Sequence, residues 1–155
     1  MKETAQEEIA ALLEAAMYKE VASASLYSEA GKLTVDPGAR ALLTELAADE
    51  ERHLERLKAL KKSSPGQRQW RLEKVADLRL SDYLTGGESL SGAGIQDSLI
   101  FAMKQEEQSM LFYTQMMAAL RSYGGKELCQ WLVQEELRHK LRLELLYEEL
   151  FYAED

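Results

Sequence analysis

A net charge of −8 over 155 residues argues against nucleic acid or an anionic membrane surface as the main partner of this chain. The length suits a buried core, and a composition with only two prolines and nine glycines favours an all-α fold. No run approaches the roughly 20 apolar residues of a membrane span, and "MKETAQEEIA" lacks the apolar core of a secretory signal, so we expect a cytoplasmic protein.

The first two predicted helices are separated by a break at "TVDPG". The first begins near Thr4, because "TAQE" has the capping-box pattern with Glu7, and it runs to about Leu33. Asp36-Pro37 is a favourable N-cap and first-turn pair for the second helix, which runs to about residue 62 and ends at "SSPG". Residues 4–62 are therefore predicted to form one helix pair.

The second helix pair is predicted at about 93–152, after a crossover at about 63–92. Its first helix runs from about Ala93 to Ser122 and stops at "YGG", and its second starts at about Lys126. The crossover is too long for a tight turn, but it suits a four-helix bundle with one long connection. We therefore predict a single domain over 1–155, with a short helical turn in the crossover. Its apolar residues are expected to pack on the bundle: Trp70, Val75, Leu78, Leu80, Tyr83 and Leu84.

The second half of the chain repeats the first at a shift of 86 residues without a gap. Both histidines match, and each follows a glutamate by three residues, as Glu50-x-x-His53 and Glu136-x-x-His139. A helix pair is thus used twice. Other identities include Glu20/Glu106, Tyr27/Tyr113, Gly38/Gly124, Arg52/Arg138, Arg56/Arg142 and Leu57/Leu143.

Each predicted helix has an apolar stripe that is interrupted by acid near its middle. The stripe of the second helix, for example, reads Leu46, Glu50, His53 and Leu57. The four stripes would bring four carboxylates and two imidazoles together inside the bundle. These side chains are Glu20, Glu50, His53, Glu106, Glu136 and His139.

Four buried carboxylates require counterions, since each ionised group costs several kcal/mol to bury and the groups repel one another. Two divalent cations would balance the four charges. Glu-x-x-His places both ligands on one helix face, and carboxylate with imidazole suits iron or manganese better than structural zinc. The lone Cys129 excludes an internal disulfide and a CxxC metal site, and is expected to be a buried apolar residue. The pattern predicts a dinuclear metal site.

Six further residues are expected around this site: Asp49, Glu135, Arg52, Arg138, Tyr27 and Tyr113. Asp49 and Glu135 would accept the free N–H of a metal-bound imidazole, with surface solvation as the alternative. Arg52 and Arg138 would complete that outer layer, or form plain surface salt bridges. The two tyrosines are either core fillers or hydrogen-bond partners of ligand carboxylates.

The motifs "DEERH" and "EELRH" resemble those of the ferritin-like superfamily, and "AMKQEEQSMLFY" with "VADLRLSDYL" resembles its rubrerythrin-related branch. The resemblance covers essentially the whole chain. It implies a di-iron site in which Glu50 and Glu136 bridge the two ions, with manganese or a mixed iron–manganese pair as the alternative. The implied ligands are Glu20, Glu50, His53, Glu106, Glu136 and His139.

Two departures from rubrerythrins affect what the resemblance implies. Ser109 stands where rubrerythrins carry an extra glutamate, so the site is more similar to the symmetric centre of bacterioferritins. The chain also lacks the two CxxC pairs of a rubredoxin domain. Electrons would therefore come from an external donor, such as a rubredoxin-like protein.

The resemblance implies a di-iron carboxylate oxidoreductase that reacts with peroxide or O2, either as a peroxidase or as a ferroxidase. One alternative is an iron storage or delivery protein with a ferroxidase centre. Another is a metal-binding structural protein without turnover. We expect a homodimer, with apolar surface near "LLYEELFY" as the contact.

Overall fold

The computed structural model describes residues 4–62, 75–84 and 94–152. Within these ranges the chain is all-α and forms a four-helix bundle, as predicted, with a 3₁₀ turn at Leu80–Tyr83. None of the helices in the described ranges combines the length and hydropathy needed to cross a bilayer. The helices are α1 (Ala5–Leu33), α2 (Pro37–Lys62), α3 (Ile95–Ala119) and α4 (Tyr123–Phe151).

The first helix pair begins and ends where its capping residues predict. The backbone N–H of Glu7 donates to Thr4 Oγ1 at 3.1 Å, and the Glu7 carboxylate accepts from the Thr4 N–H at 3.1 Å. Asp36 Oδ2 accepts from the N–H of Ala39 at 2.9 Å, directly after Pro37 starts α2. Each bond satisfies an N–H that the first turn of a helix cannot pair internally.

The predicted boundary between α3 and α4 is wrong, because "YGG" begins α4 instead of ending α3. Ser122 is the N-cap of α4, and its hydroxyl accepts from the N–H of Gly125 at 3.0 Å. The carboxylate of Glu8 in α1 accepts from the N–H groups of Arg121 and Ser122 at 2.9 Å each. A Cβ at Gly125 would lie 2.8 Å from Ser122 Oγ and 3.2 Å from Glu8 Oε1, so this glycine permits the close approach.

The helices pack chiefly as α1 with α2 and α3 with α4, and two apolar clusters fill the space between the pairs. The upper cluster includes Tyr27, Leu46, Leu99, Met103 and Leu143. The lower cluster includes Leu13, Leu57, Tyr113, Leu128 and Leu132. Along α1, for example, Leu13 belongs to the lower cluster and Tyr27 to the upper one, with Glu20 between them. The acids that interrupt the stripes therefore form a polar layer between two apolar ones.

The described part of the crossover, residues 75–84, lies against the upper cluster through Leu80 and Leu84. Val75 is half-buried, whereas Leu78 and Tyr83 are exposed, so the prediction that these two pack on the bundle is wrong. Tyr83 is 84% exposed, because the tight 3₁₀ turn directs it away from the helices. The predicted contact of Trp70 lies outside the described residues.

Polar contacts also hold part of the crossover against α4, namely residues 77–80, which we call the strap. Glu144 accepts from the backbone N–H groups of Leu78 at 3.3 Å and of Leu80 at 2.8 Å. The ammonium group of Lys140 lies 2.5 Å from Asp77 Oδ1 and 3.3 Å from Glu144 Oε2. Lys140 and Glu144 are almost fully buried, so the crossover is fixed by a buried charge network that the sequence did not reveal.

Candidate metal centre

The structure brings the six predicted ligand residues together in the polar layer. Glu20 projects from α1 and Glu106 from α3, while each Glu-x-x-His pair projects from the middle of α2 or α4. The four glutamates and His53 are buried, whereas the side chain of His139 is 20% exposed. Spacing of three residues on a helix puts each Glu and His on one face, which is why both reach the interior.

Two overlapping groups of side chains in this layer could hold a metal ion. One contains Glu20, Glu50, His53 and Glu136, and the other contains Glu50, Glu106, Glu136 and His139. Within each group, the candidate ligand atoms all lie within 4.8 Å of one another. Glu50 and Glu136 belong to both groups, as residues that bridged two ions would.

The imidazoles face the carboxylates through Nδ1. His53 Nδ1 lies 3.1 Å from Glu20 Oε1 and 3.7 Å from Glu136 Oε1. His139 Nδ1 lies 3.5 Å from Glu50 Oε1 and 3.8 Å from Glu106 Oε2. The 86-residue shift relates the two sets of contacts, so the sequence repeat appears in space as an approximate two-fold relation.

The donor set fits divalent cations because its buried atoms lack other partners. In the described residues, eight buried side-chain oxygen or nitrogen atoms have no hydrogen-bond partner, and every one belongs to the six residues. They include both carboxylate oxygens of Glu136 and both ring nitrogens of His53. Buried polar atoms are rarely left unpaired, because each unsatisfied atom costs about 1–3 kcal/mol of desolvation free energy. Lone pairs directed at a shared space are what a cation requires.

Without a cation, the four carboxyl groups cannot all be ionised. Burial, added to the neighbouring carboxylates, raises the pKa of Glu50 to about 9 and that of Glu136 well above its usual value. Burial also acts to raise the pKa of Glu20, but the facing imidazole of His53 outweighs it and lowers that pKa to about 2. The pKa of Glu106 is lowered against its burial by the neighbouring Glu136 and by the imidazole of His139. Two carboxyls thus hold protons that cations would replace.

His139 carries a further proton in the cation-free site. Burial acts to lower the pKa of its imidazole, but Glu106 and Glu50 overcome this effect and raise the pKa to about 10. A protonated imidazole has no lone pair for a metal ion. Metal binding must therefore release protons from this layer, which makes it dependent on pH.

The tyrosines prove to be hydrogen-bond partners of the glutamates, one of the two alternatives that the sequence left open. Tyr27 Oη donates to Glu106 Oε1 at 3.0 Å, and Tyr113 Oη donates to Glu20 Oε1 at 3.0 Å. Burial, with the nearby carboxylates, raises the pKa of both hydroxyls, so both stay protonated donors. Each tyrosine reaches from one helix pair to a glutamate of the other.

Asp49 and Glu135 do not accept an imidazole N–H from the histidine of their own motif, and arginines engage both instead. Asp49 pairs with Arg52 in α2, and it accepts from Arg142 in α4 at 2.7 Å. Glu135 accepts from Arg138 at 2.8 Å and lies 3.6 Å from Arg56 Nη1 in α2. Arg52 and Arg138 therefore form salt bridges at the bundle surface, which is the second of the two alternatives that the sequence left open.

Sequence reasoning missed three residues in the surroundings of the site: Arg56, Arg142 and Trp131. Arg56 and Arg142 form the cross-helix ion pairs, although their identity across the repeat was a visible signal. Trp131 stands beside His53 with ring centroids 6.1 Å apart, and nothing in its surrounding apolar run distinguished it from core. Ser109, where a glutamate was expected from the resemblance, is buried and donates to the carbonyl of Gln105 at 3.2 Å.

Comparison with known proteins gives one informative match. Residues 2–61, which contain α1 and nearly all of α2, match the family model described as Rubrerythrin. No curated protein and no solved structure matches the chain. The matched segment holds Glu20 and the first Glu-x-x-His motif, and the 86-residue repeat carries the same pattern into α3 and α4.

Proposed function

We propose that the chain, whose residues 2–61 match the Rubrerythrin family model, is a di-iron carboxylate oxidoreductase of the ferritin-like type that reduces peroxide or O2. The electrons would come from an external donor, since the chain has no thiolate cluster of its own. Glu20, His53, Glu106 and His139 would each bind one ion, and Glu50 with Glu136 would bridge both. When bound, the two iron ions supply the electrons that cleave the O–O bond, with two protons consumed for each peroxide reduced to water.

The protein contributes the geometry and the charge balance of this chemistry. Four carboxylates neutralise two divalent ions, so the loaded layer can lie between the two apolar clusters without a net charge. Tyr27 donates to Glu106 and Tyr113 donates to Glu20, and these hydrogen bonds fix the orientation of the two carboxylates. A fixed orientation lets each carboxylate bind its own ion. The apolar clusters above and below exclude bulk water from the layer.

One observation carries the proposal above the others: within residues 4–62, 75–84 and 94–152, the unpartnered buried side-chain atoms all belong to the six residues. A purely structural polar layer would be expected to satisfy its hydrogen bonds internally. Carboxylate with imidazole favours iron or manganese, and Cys129 lies in the lower cluster and in neither of the metal-holding groups. We propose iron as the natural metal, with manganese or a mixed pair as the competing occupant.

The test is an anaerobic Fe(II) titration of the metal-free protein, followed by stopped-flow absorbance on mixing with peroxide and, separately, with O2. We expect saturation at two ions per chain and a fast ferric absorption band, with the faster oxidant indicating the physiological one. Glu50→Ala combined with His139→Ala should lose both. The matched control is Glu51→Ala, since Glu51 neighbours a ligand residue in α2 but is exposed. Equal binding and oxidation by the double variant would overturn the proposal.

The same titration separates the alternative functions. Iron uptake that continues far beyond two ions per chain would indicate storage behind a ferroxidase centre. Tight retention of two ions without reaction towards either oxidant would indicate a structural role for the metal.

We propose a homodimer as the assembly, in contrast to the large shell that storage requires. The end of α4 exposes several apolar side chains beside Tyr147 and Phe151, whose ring centroids lie 4.8 Å apart, among them Leu145, Leu150 and Tyr152. Light scattering would distinguish the assemblies, since a dimer contradicts storage in a shell. Leu150→Lys should weaken a dimer that uses this surface, whereas a monomeric wild type would contradict it.

A further inference from the structure

The approximate two-fold relation of the site does not extend to the side chains that lie between its two imidazoles and the solvent. The side chain of His53 is 4% exposed and that of His139 is 20% exposed, although the repeat makes them equivalent. Trp131 accounts for part of the difference, since its ring stands edge-on beside His53. The guanidinium group of Arg56 in turn lies 4.9 Å from the centre of the Trp131 ring. On this side a packed aromatic residue and a stacked cation cover the imidazole.

The two equivalent positions on the other side hold different chemistry. The shift of 86 residues relates Trp131 to Glu45 and Arg56 to Arg142. Glu45 and Arg142 are exposed, and they form only a long ion pair of 3.9 Å. Arg142 also pairs with Asp49, which pairs with Arg52 as well. Exposed ion pairs thus stand where the His53 side has its aromatic cover.

This difference affects how an ion can leave. Release requires water to replace the protein ligands, and the imidazole must swing away from the ion. On the His53 side that motion displaces Trp131 from a close-packed core, which resists changes of even one methylene. On the His139 side the imidazole already meets solvent, so water can replace it on the ion without displacing a packed ring.

Resting on the proposed function, we propose that metal ions and small reactants reach the site on the His139 side, while Trp131 closes the His53 side. Trp131 is then a positioning residue that makes two otherwise equivalent ions exchange at different rates. The His139-side ion is the labile one, and the His53-side ion is retained. The consequence is a site with one entrance.

The test measures metal release, without turnover. The full-length protein is loaded with two Co(II) ions, whose visible absorption reports ligation, and is mixed with excess EDTA in a stopped-flow instrument. We expect two phases with rates that differ by at least about tenfold, which corresponds to about 1.4 kcal/mol in barrier height. In a Trp70→Phe background, the fluorescence quenched by Co(II) should recover mostly with the slow phase, because Trp131 stands beside His53, with ring centroids 6.1 Å apart.

Three variants locate the cover. Trp131→Ala should accelerate the slow phase about tenfold and leave the fast phase unchanged, while Trp131→Phe should keep the slow phase close to wild type. Glu45→Trp places the aromatic residue on the open side and should slow the fast phase. This third variant does not depend on the stability of a core truncation, so it tests the proposal even if Trp131→Ala folds poorly.

The outcomes separate this inference from the proposed function. Binding of fewer than two ions per chain overturns the proposed function, and this inference with it. Release of the two ions in a single phase would overturn the inference alone. So would a slow phase that speeds up in Trp131→Phe together with a fast phase that Glu45→Trp leaves unchanged, because neither rate would then follow the aromatic cover. Fluorescence that recovers with the fast phase would reverse the assignment of the entrance and also overturn it.

Discussion

The hydroxyl of Tyr27 in α1 lies 3.0 Å from Glu106 in α3, so a residue of one helix pair orients a carboxylate of the other. The same hydroxyl lies 3.3 Å from the carbonyl oxygen of Ala102, one turn earlier in α3. Tyr27 is 1% exposed, so its hydroxyl is shielded from bulk solvent. The side chain therefore couples helix packing to the geometry of the metal centre.

Tyr27→Phe should weaken metal binding while leaving the fold intact. Loss of a partner to a ligand residue typically costs about 10–100-fold in metal affinity, and loss of one hydrogen bond costs about 0.5–1.5 kcal/mol of stability. Competition with a chromophoric chelator would measure the affinity. Tyr147→Phe is the matched control, because Tyr147 is also buried and loses a hydrogen bond, from Gln96 at 2.8 Å, away from the site. Equal affinities of the two variants would contradict the role of Tyr27.

The metal-free protein should lose stability as pH rises from about 4.5 to about 9. The pKa of Glu50 is raised by burial to about 9, so the folded chain keeps a proton that the unfolded chain releases above pH 4.5. Each retained proton lowers the free energy of unfolding by about 1.4 kcal/mol per pH unit. The raised pKa of His139 acts in the same direction between 6.5 and about 10, while that of Glu20 acts only below 4.5.

Glu50→Gln should flatten this dependence and stabilise the metal-free protein at pH 8, although it weakens metal binding. Urea unfolding at pH 5 to 9 in the presence of a chelator would measure both effects. A wild type whose metal-free form becomes more stable over this range would show that the carboxyl groups are not held as the structure has them.

Lys140→Met should destabilise the protein and release the strap at residues 77–80. The substitution leaves Glu144 buried without its cation, and breaking such a pair costs about 3–5 kcal/mol. Urea unfolding would measure the loss, and faster amide exchange at Leu78 and Leu80 would locate it, since both donate to Glu144. Lys58→Met is the control, because Lys58 pairs with Glu55 on the surface and its removal should cost less than about 1 kcal/mol. A loss for Lys140 as small as that of the control would mean that the network does not anchor the strap.

Glu8→Ala should lower the melting temperature, because the Glu8 carboxylate joins the start of α1 to the corner between α3 and α4 by accepting from Arg121 and Ser122. Hydrogen bonds from Ser122 and Arg121 hold its pKa below the usual value, with burial opposing them. A lowered carboxyl pKa stabilises the fold above pH 4.5, and the contribution is lost as pH falls further. Glu8→Gln keeps an acceptor without the charge. Its melting temperature should approach that of wild type on acidification below pH 4.5, and a gap that widens there would contradict this account.

The sequence was sufficient for features that depend on local spacing. The N-caps at Thr4 and Asp36 lie within a few residues of the groups they bind, so the helix starts could be predicted from the local sequence alone. The six residues of the polar layer were likewise predictable, because a period of three to four residues determines which side chains share a helix face. The glycines of "YGG" were misread as a stop, although the repeat relates Leu33 to Ala119 and Pro37 to Tyr123 and so gives both boundaries.

Features that depend on tertiary placement could not be predicted. Lys140 and Glu144 have the spacing of an ordinary surface pair, and only the strap that covers them makes the pair buried. Asp49 was expected to meet an imidazole, but the long side chain of Arg142 reaches it from another helix. Trp131 lies in the apolar run "CQWLVQ", where periodicity indicates burial and gives no information about which imidazole it contacts.

Each group of four candidate ligands takes three side chains from one helix pair and a single carboxylate from the other. Neither half of the chain owns a complete site, so an ion can be captured only after the two hairpins have docked. Each cation would then link the two helix pairs through ligands from both. By the same symmetry, two copies of the first hairpin, joined face to face, would present the same four glutamates and two histidines that the whole chain assembles from its unequal halves.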